Sequence, residues 1–137
     1  MKALSSEKIH PPFGRYSPGL EIPAGWRMVK TSGQLGIAAD GTIPPDVYDQ
    51  ARICFENIAQ ILKQASMSAA HVAHISAYVT DRDYFPHYMR ARDEFIADSD
   101  PLPGSTLLIV SGFTRAEFKV EVEVTAAAPD PDEPKAG

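Results

Sequence analysis

Residues 118–127 read FKVEVEVTAA, and their alternation constrains the architecture more than any other stretch. With a period of two, Val120, Val122 and Val124 share one face of a strand while Glu121 and Glu123 share the other. One face needs apolar cover and the other tolerates water, so a second layer must pack on a sheet. Two stretches can supply it. From Asp46 onward, Val47, Ala51, Cys54, Phe55, Ile58, Ile61, Leu62 and Ala65 recur at the three-and-four spacing of an amphipathic helix. Asp46 is placed to cap it and Pro45 precedes it. From Asp83 to about Ala97, Phe85, Tyr88, Met89, Arg92, Phe95 and Ile96 repeat that spacing, with Asp81 or Asp83 as cap. Pro101 and Pro103 end this second helix.

Three further strands complete the reading. Trp26–Ser32 alternates after a turn-rich stretch, and Gly33–Pro45 reads as a loop. His71–Thr80 places His71, Ala73, Ile75, Ala77 and Val79 on one face and Val72, His74, Ser76, Tyr78 and Thr80 on the other. Ser105–Val110 is almost continuously apolar, which predicts a central strand. A short extra strand near Leu20 is also compatible with the sequence. The order strand, helix, strand, helix, strand, strand predicts an α+β fold, a mixed sheet with two helices packed on one face, if both crossovers are right-handed. The opposite face would then carry Val72, Tyr78 and Trp26 or Val29. So apolar a patch predicts self-association.

At 137 residues the chain fits one domain with one core. The expected division is a domain over 13–128, between a flexible N-terminal segment, 1–12, and a flexible C-terminal tail, 129–137, both rich in proline and charge. A net charge of -5 and the lack of a basic stripe argue against nucleic acid as a partner. No apolar run reaches membrane-spanning length and MKALSSEKIHPPFG lacks the apolar core of a signal peptide, so no membrane partner and a cytoplasmic location are expected.

Cys54 is the sole cysteine and lies on the first helix's apolar stripe, which favours a buried hydrophobe over a reactive thiol. No pair of the four histidines is spaced as metal ligands, so no metal site is expected. SGQLG lacks the lysine and glycine spacing of a phosphate loop, and no nucleophilic-serine elbow occurs. Glu121 and Glu123, two apart on a strand, could serve two-carboxylate chemistry or form a solvated face. Spacing leaves both open.

Several segments together resemble one family: RYSPG (15–19), TSGQLG (31–36), QARICFENIAQIL (50–62), AYVTDRDYF (77–85), the PxxST region (101–106) and KVEVEV (119–124). In order and near-spacing over about residues 13–128 they are similar to RidA/YjgF proteins, also named endoribonuclease L-PSP-like. The resemblance implies a chorismate-mutase-like fold, a homotrimer whose sheets form a central barrel, and small-molecule clefts between subunits. Deaminating members hydrolyse 2-imino acids to 2-keto acids and ammonia without cofactor. An arginine grips the substrate carboxylate and a glutamate positions or activates water.

Carried onto this chain, the cleft tyrosine matches Tyr16, the SGQ motif gives Ser32 and Gly33, the cleft phenylalanine matches Phe85, and the catalytic glutamate matches Glu121. The family's arginine falls on Gly104, ahead of Ser105 and Thr106. A bidentate arginine fork is geometrically hard to replace. Ordinary 2-iminobutanoate and 2-iminopropanoate deamination is therefore not the expected activity. Arg15, in place of the proline that commonly precedes the cleft tyrosine, could compensate, and SGFTRAEF (111–118) is about two residues longer than usual. Two functions remain open: a divergent deaminase-like hydrolase of a small imine or enamine-type metabolite, or a non-catalytic ligand-binding or interaction protein on the same trimer. Ribonuclease activity is disfavoured by the negative charge.

Overall fold

The structure, a computed structural model, describes residues 1–131; within the expected tail, residues 132–137 lie outside the described part. Its elements are β1 (Lys2–Leu4), β2 (Gly19–Glu21), β3 (Arg27–Lys30), β4 (Gln34–Leu35), α1 (Val47–Lys63), β5 (Val72–Val79), α2 (Phe85–Phe95), β6 (Gly104–Ile109) and β7 (Val120–Ala128). The main sheet runs β3-β7-β5-β6, with β4 also pairing β7. β7 is antiparallel to β3, β4 and β5, whereas β5 and β6 are parallel. The expected α+β fold with a mixed sheet is what forms.

Asp46 caps α1 as its position predicts, accepting hydrogen bonds from the N–H groups of Tyr48 and Asp49. Ala51, Cys54, Phe55, Ile58 and Leu62 then enter a core with Tyr88 and Ala91 of α2 and Ile75, Ala77, Val79, Val120, Val122 and Val124 of the sheet. The sheet residues belong to one parity, so both helices cover one face. Asp81 caps a short 3-10 turn (Arg82–Tyr84) that leads into α2.

Four expectations are corrected. The apolar β6 is not central but lies at the sheet edge, where Leu108 and Ile109 remain 51% and 44% exposed. The alternating β7 takes the centre, because its valine row offers the helices a continuous buried surface. Second, a register shift between Val72 and His74 reverses parity at the start of β5, so Val72 joins the core instead of the open face. Val29, paired with Ala126, also packs against the core. Third, His71 precedes the strand, in a 3-10 turn where its Nδ1 accepts from the Ser68 N–H. Fourth, the expected loop 33–45 contains β4. The open face is thereby more polar than the sequence suggested. It presents Lys30, His74, Ser76, Tyr78, Thr106, Glu121, Glu123 and Thr125, with Met28 and Leu108 as exposed apolar residues on the two edge strands. The first residues form β1, which pairs with β2 away from the main sheet and outside the core.

Candidate functional site

Apart from Phe85, the candidate site residues from the sequence fall into two clusters at the open face. The first surrounds Gly104 at the start of β6. Ser17 donates from its N–H to Pro103 O at 2.9 Å and from Oγ to Leu102 O at 2.6 Å, fixing the 16–17 segment beside the entry to β6. Tyr16 Oη accepts from the Phe13 N–H at 3.2 Å. Between them opens a cleft of about 330 Å³, lined by Tyr16, His74, Gly104, Ser105, Thr106 and Thr125 together with the 17–20 segment, Ile22 and Ala73. Sequence reasoning missed His74, weighing it only as half of a metal pair. The available signal was its parity with Ser76 and Tyr78, which places it on the open face.

Ser105 borders this cleft, yet its Oγ lies 3.3 Å from Nη1 of Arg92 and accepts from it. Arg92 is 4% exposed and also donates to Asp93 through Nε and Nη2, so its charge is buried behind β6 and does not line the cleft. Arg15 reaches the Ala97 carbonyl at 3.5 Å, at the far end of α2, and does not line the cleft either.

The second cluster centres on Glu121. Thr31 extends the pairing of β3 with β7: its N–H donates to Val124 O and its hydroxyl accepts from Val124 N. This carries the following chain, through Ser32, so that Gly33 lies against the Glu121 side chain. A Cβ on Gly33 would stand 2.6 Å from Glu121 Cδ and 2.7 Å from Oε1, so only glycine allows this approach. Burial first, then Glu123, raises the Glu121 pKa above the ordinary glutamate value. Glu123 instead accepts a hydrogen bond from Tyr78 Oη at 2.7 Å, which removes it from the symmetric pair that spacing allowed. Ser32 is exposed, and its carbonyl accepts from Gln34. Phe85 opens α2, packs against the core and does not line the cleft at Gly104.

Register measures the gap between the clusters. Thr125, His74 and Gly104 face one another across β7, β5 and β6, whereas Glu121 faces Tyr78. Four residues along β7 at ~3.3 Å each put Glu121 about 13 Å from the Gly104 row. One chain thus brings Tyr16, Gly104, Ser105 and Thr106 together, and Gly33 with Glu121, but does not join the two groups.

Cys54 is fully buried, and burial, then Glu121, pushes its thiol far above the ordinary range. No group of three or more His, Cys, Asp or Glu among the described residues could hold a metal, and no described helix is long and apolar enough to cross a membrane.

The sequence profile of the Endoribonuclease L-PSP family matches residues 7–128. The RutC family protein YjgH of Escherichia coli is 31% identical over 100 residues, covering 72% of this chain and 74% of that one. The 2-iminobutanoate/2-iminopropanoate deaminase of E. coli is 24% identical over 127 residues, covering 91% and 96%. Among solved structures, YyfB of Yersinia pestis, a Rid family protein of unknown function, superposes with a TM-score of 0.82 at 21% identity, over 93% of this chain and 98% of that one. E. coli TdcF with bound serine gives 0.70 at 27%, over 93% and 99%. A profile match over nearly the whole folded chain, with the same α+β architecture in the solved relatives, makes this protein a member of the Endoribonuclease L-PSP family, the RidA/YjgF proteins.

Proposed function

We propose that this protein is a cofactor-independent hydrolase of a small imine or enamine-type metabolite that carries no carboxylate at the Gly104 position, and that it works as a homotrimer with its clefts between subunits. The separation of the two clusters carries this reading. The polar groups around Gly104 and the Glu121 carboxyl lie on one sheet face, ~13 Å apart by strand register, too far to act on one small molecule within a chain. Packing open faces around a three-fold axis would bring one chain's Gly104 cluster against its neighbour's Glu121. Met28 and Leu108, exposed on opposite edge strands, suit such a contact. The relatives named for deamination and for bound serine support a small nitrogenous ligand.

In the shared cleft, Glu121 as carboxylate takes a proton from water while the water oxygen bonds to the imine carbon, and passes that proton to the nitrogen. In the resulting carbinolamine Glu121 moves the hydroxyl proton to the amino nitrogen, the C–N bond breaks, and ammonia leaves as the carbonyl forms with the carboxylate restored. A carboxyl whose pKa is raised by burial is a better base near neutral pH than an ordinary glutamate. Gly104 leaves no cationic side chain lining the cleft to neutralise a substrate carboxylate. That observation also favours the second reading, a non-catalytic ligand-binding trimer.

The deciding assay generates 2-iminobutanoate and the uncharged 2-iminopropanamide in situ and follows their loss with wild type and Glu121→Gln. The hydrolase reading expects Glu121-dependent loss of the uncharged imine and little acceleration with the carboxylate. No acceleration by wild type over the protein-free rate would leave the binding protein, an equally active variant would refute Glu121 as base, efficient 2-iminobutanoate hydrolysis would refute the role given to Gly104, and a stable monomer in sedimentation would refute the shared cleft.

A further inference from the structure

Across the open face, Lys30, Thr125, His74 and Gly104 form one cross-strand row. At its end the imidazole of His74 lies directly on the glycine. A Cβ at position 104 would stand 2.7 Å from Nδ1 and 3.4 Å from Cε1 of His74, inside the contact distance of real side chains. The ring's other nitrogen, Nε2, is 3.2 Å from Thr106 Oγ1, on the same face two residues along β6. The imidazole is therefore seated between a hydroxyl and a bare Cα, and it lines the cleft.

We propose that His74 is the specificity-determining residue of this cleft, seated there because position 104 is glycine, and that it selects ligands with an uncharged head group such as a carboxamide over carboxylates. The assignment rests on the cleft reading above and goes further by naming the group that replaces charge recognition. With Nε2 on Thr106 Oγ1, a neutral imidazole keeps Nδ1, over the bare Cα of Gly104, for one hydrogen bond to an uncharged head group such as an amide. Burial, and then the Lys30 ammonium, lower the His74 pKa, which favours that neutral form. The surrounding polar side chains, Tyr16, Thr106 and Thr125, are hydroxyls that donate or accept without net charge. Lys30 stands on the same row but not in the lining, two strands from His74. A carboxylate entering the cleft would meet no Lys or Arg in the lining, with Lys30 acting only from a distance, while an amide loses less hydration on entry.

The test is binding without turnover, so it stands apart from the hydrolysis assay. Gly104→Ala adds only the methyl group that meets Nδ1, and the obstacle is a ring that can rotate away, not backbone, so the sheet is preserved. In protein labelled with 15N-histidine, the His74 ring nitrogens should report one fixed tautomer in wild type and an averaged one in Gly104→Ala. Calorimetry with 2-oxobutanamide and 2-oxobutanoate should show the amide bound about tenfold more tightly by wild type, as one well-placed hydrogen bond allows. That preference should fall to about twofold or less in Gly104→Ala and in His74→Ala, with the double variant no worse than His74→Ala, since both substitutions remove one interaction. Wild type preferring the carboxylate, binding neither probe, or keeping its preference in Gly104→Ala would each overturn the assignment. An intact amide preference without Glu121-dependent hydrolysis would instead sink the proposed reaction and leave His74 in its role.

Discussion

Replacing Gln50 with leucine should unfasten the loop that leads to the Glu121 cluster. Gln50 is fully buried on α1, and its side chain serves three backbone groups: Nε2 donates to Pro44 O and Glu117 O, and Oε1 accepts from the Lys119 N–H, each at 2.9 Å. It thus joins the helix start to the segment entering β7, two residues before Glu121. Gly36 packs so closely that a Cβ there would lie 2.8 Å from Gln50 Cα, leaving no room for the helix to shift. Leucine keeps the volume but leaves two carbonyls and one N–H without partners. At about 1 kcal/mol each, the low end for orphaned groups because neighbouring loops admit water, the loss is about 3 kcal/mol. For a domain of this size that lowers the melting midpoint by about 12 °C, measured by calorimetry at one fixed protein concentration. Gln50→Glu supplies a second arm: as carboxylate it can serve Lys119 N–H but repels both carbonyls, so it should be less stable than the leucine variant at pH 7 and recover toward pH 4. A leucine variant melting within about 3 °C of wild type would refute the reasoning, since the three groups would then be satisfied without Gln50.

Other expectations follow from the same geometry. Because the Glu121 pKa is raised in the folded state, its contribution to stability is present below the ordinary value of 4.5 and lost as pH rises through the folded value. Glu121→Gln should therefore be more stable than wild type at pH 7, with the difference vanishing by about pH 4 in denaturant titrations; a variant less stable at pH 7 would contradict it. The Cys54 thiol, buried and held protonated, should resist a thiol-specific disulfide reagent in native buffer and react fully once unfolded. Asp46→Ala removes the acceptor for Tyr48 N–H at 2.7 Å and Asp49 N–H at 3.3 Å, costing about 1 kcal/mol in chemical denaturation.

What the sequence disclosed was mostly local. The stripe on α1, its Asp46 cap and the valine row of β7 are patterns whose period belongs to one element, and each formed where expected. Apart from His71, drawn out of the strand by its local capping contact with Ser68, the errors were matters of partnership. STLLIV is apolar enough for a central strand, yet edge or centre is decided by which strands pair, and β6 has only β5 beside it. One extra residue at the start of β5 exchanged the faces of Val72 and the strict alternation, a change that no count of apolar residues reveals. The site divides the same way. Gly33 beside Glu121 and Tyr16 beside Gly104 came from motif resemblance, and the fold brings each pair together. His74 against Gly104 depends on the parallel register of β5 with β6, and that register is set by long-range pairing.

If clefts are shared between subunits as proposed, the distance along β7 between the two clusters would make this protein repairable from outside the damaged chain. In the proposed trimer, a chain crippled at Glu121 still contributes an intact Gly104 end, and a chain whose Gly104 end is blocked by a bulky side chain at position 104 still contributes an intact Glu121. Two inactive variants, unfolded together and reassembled, would then regain function in about a quarter of their clefts at equal mixing, whereas either alone would regain none. Mutations that behave as null in pure culture could complement one another in a mixed cell, so a damaging allele of such a protein would be judged by its partner allele as much as by its own sequence.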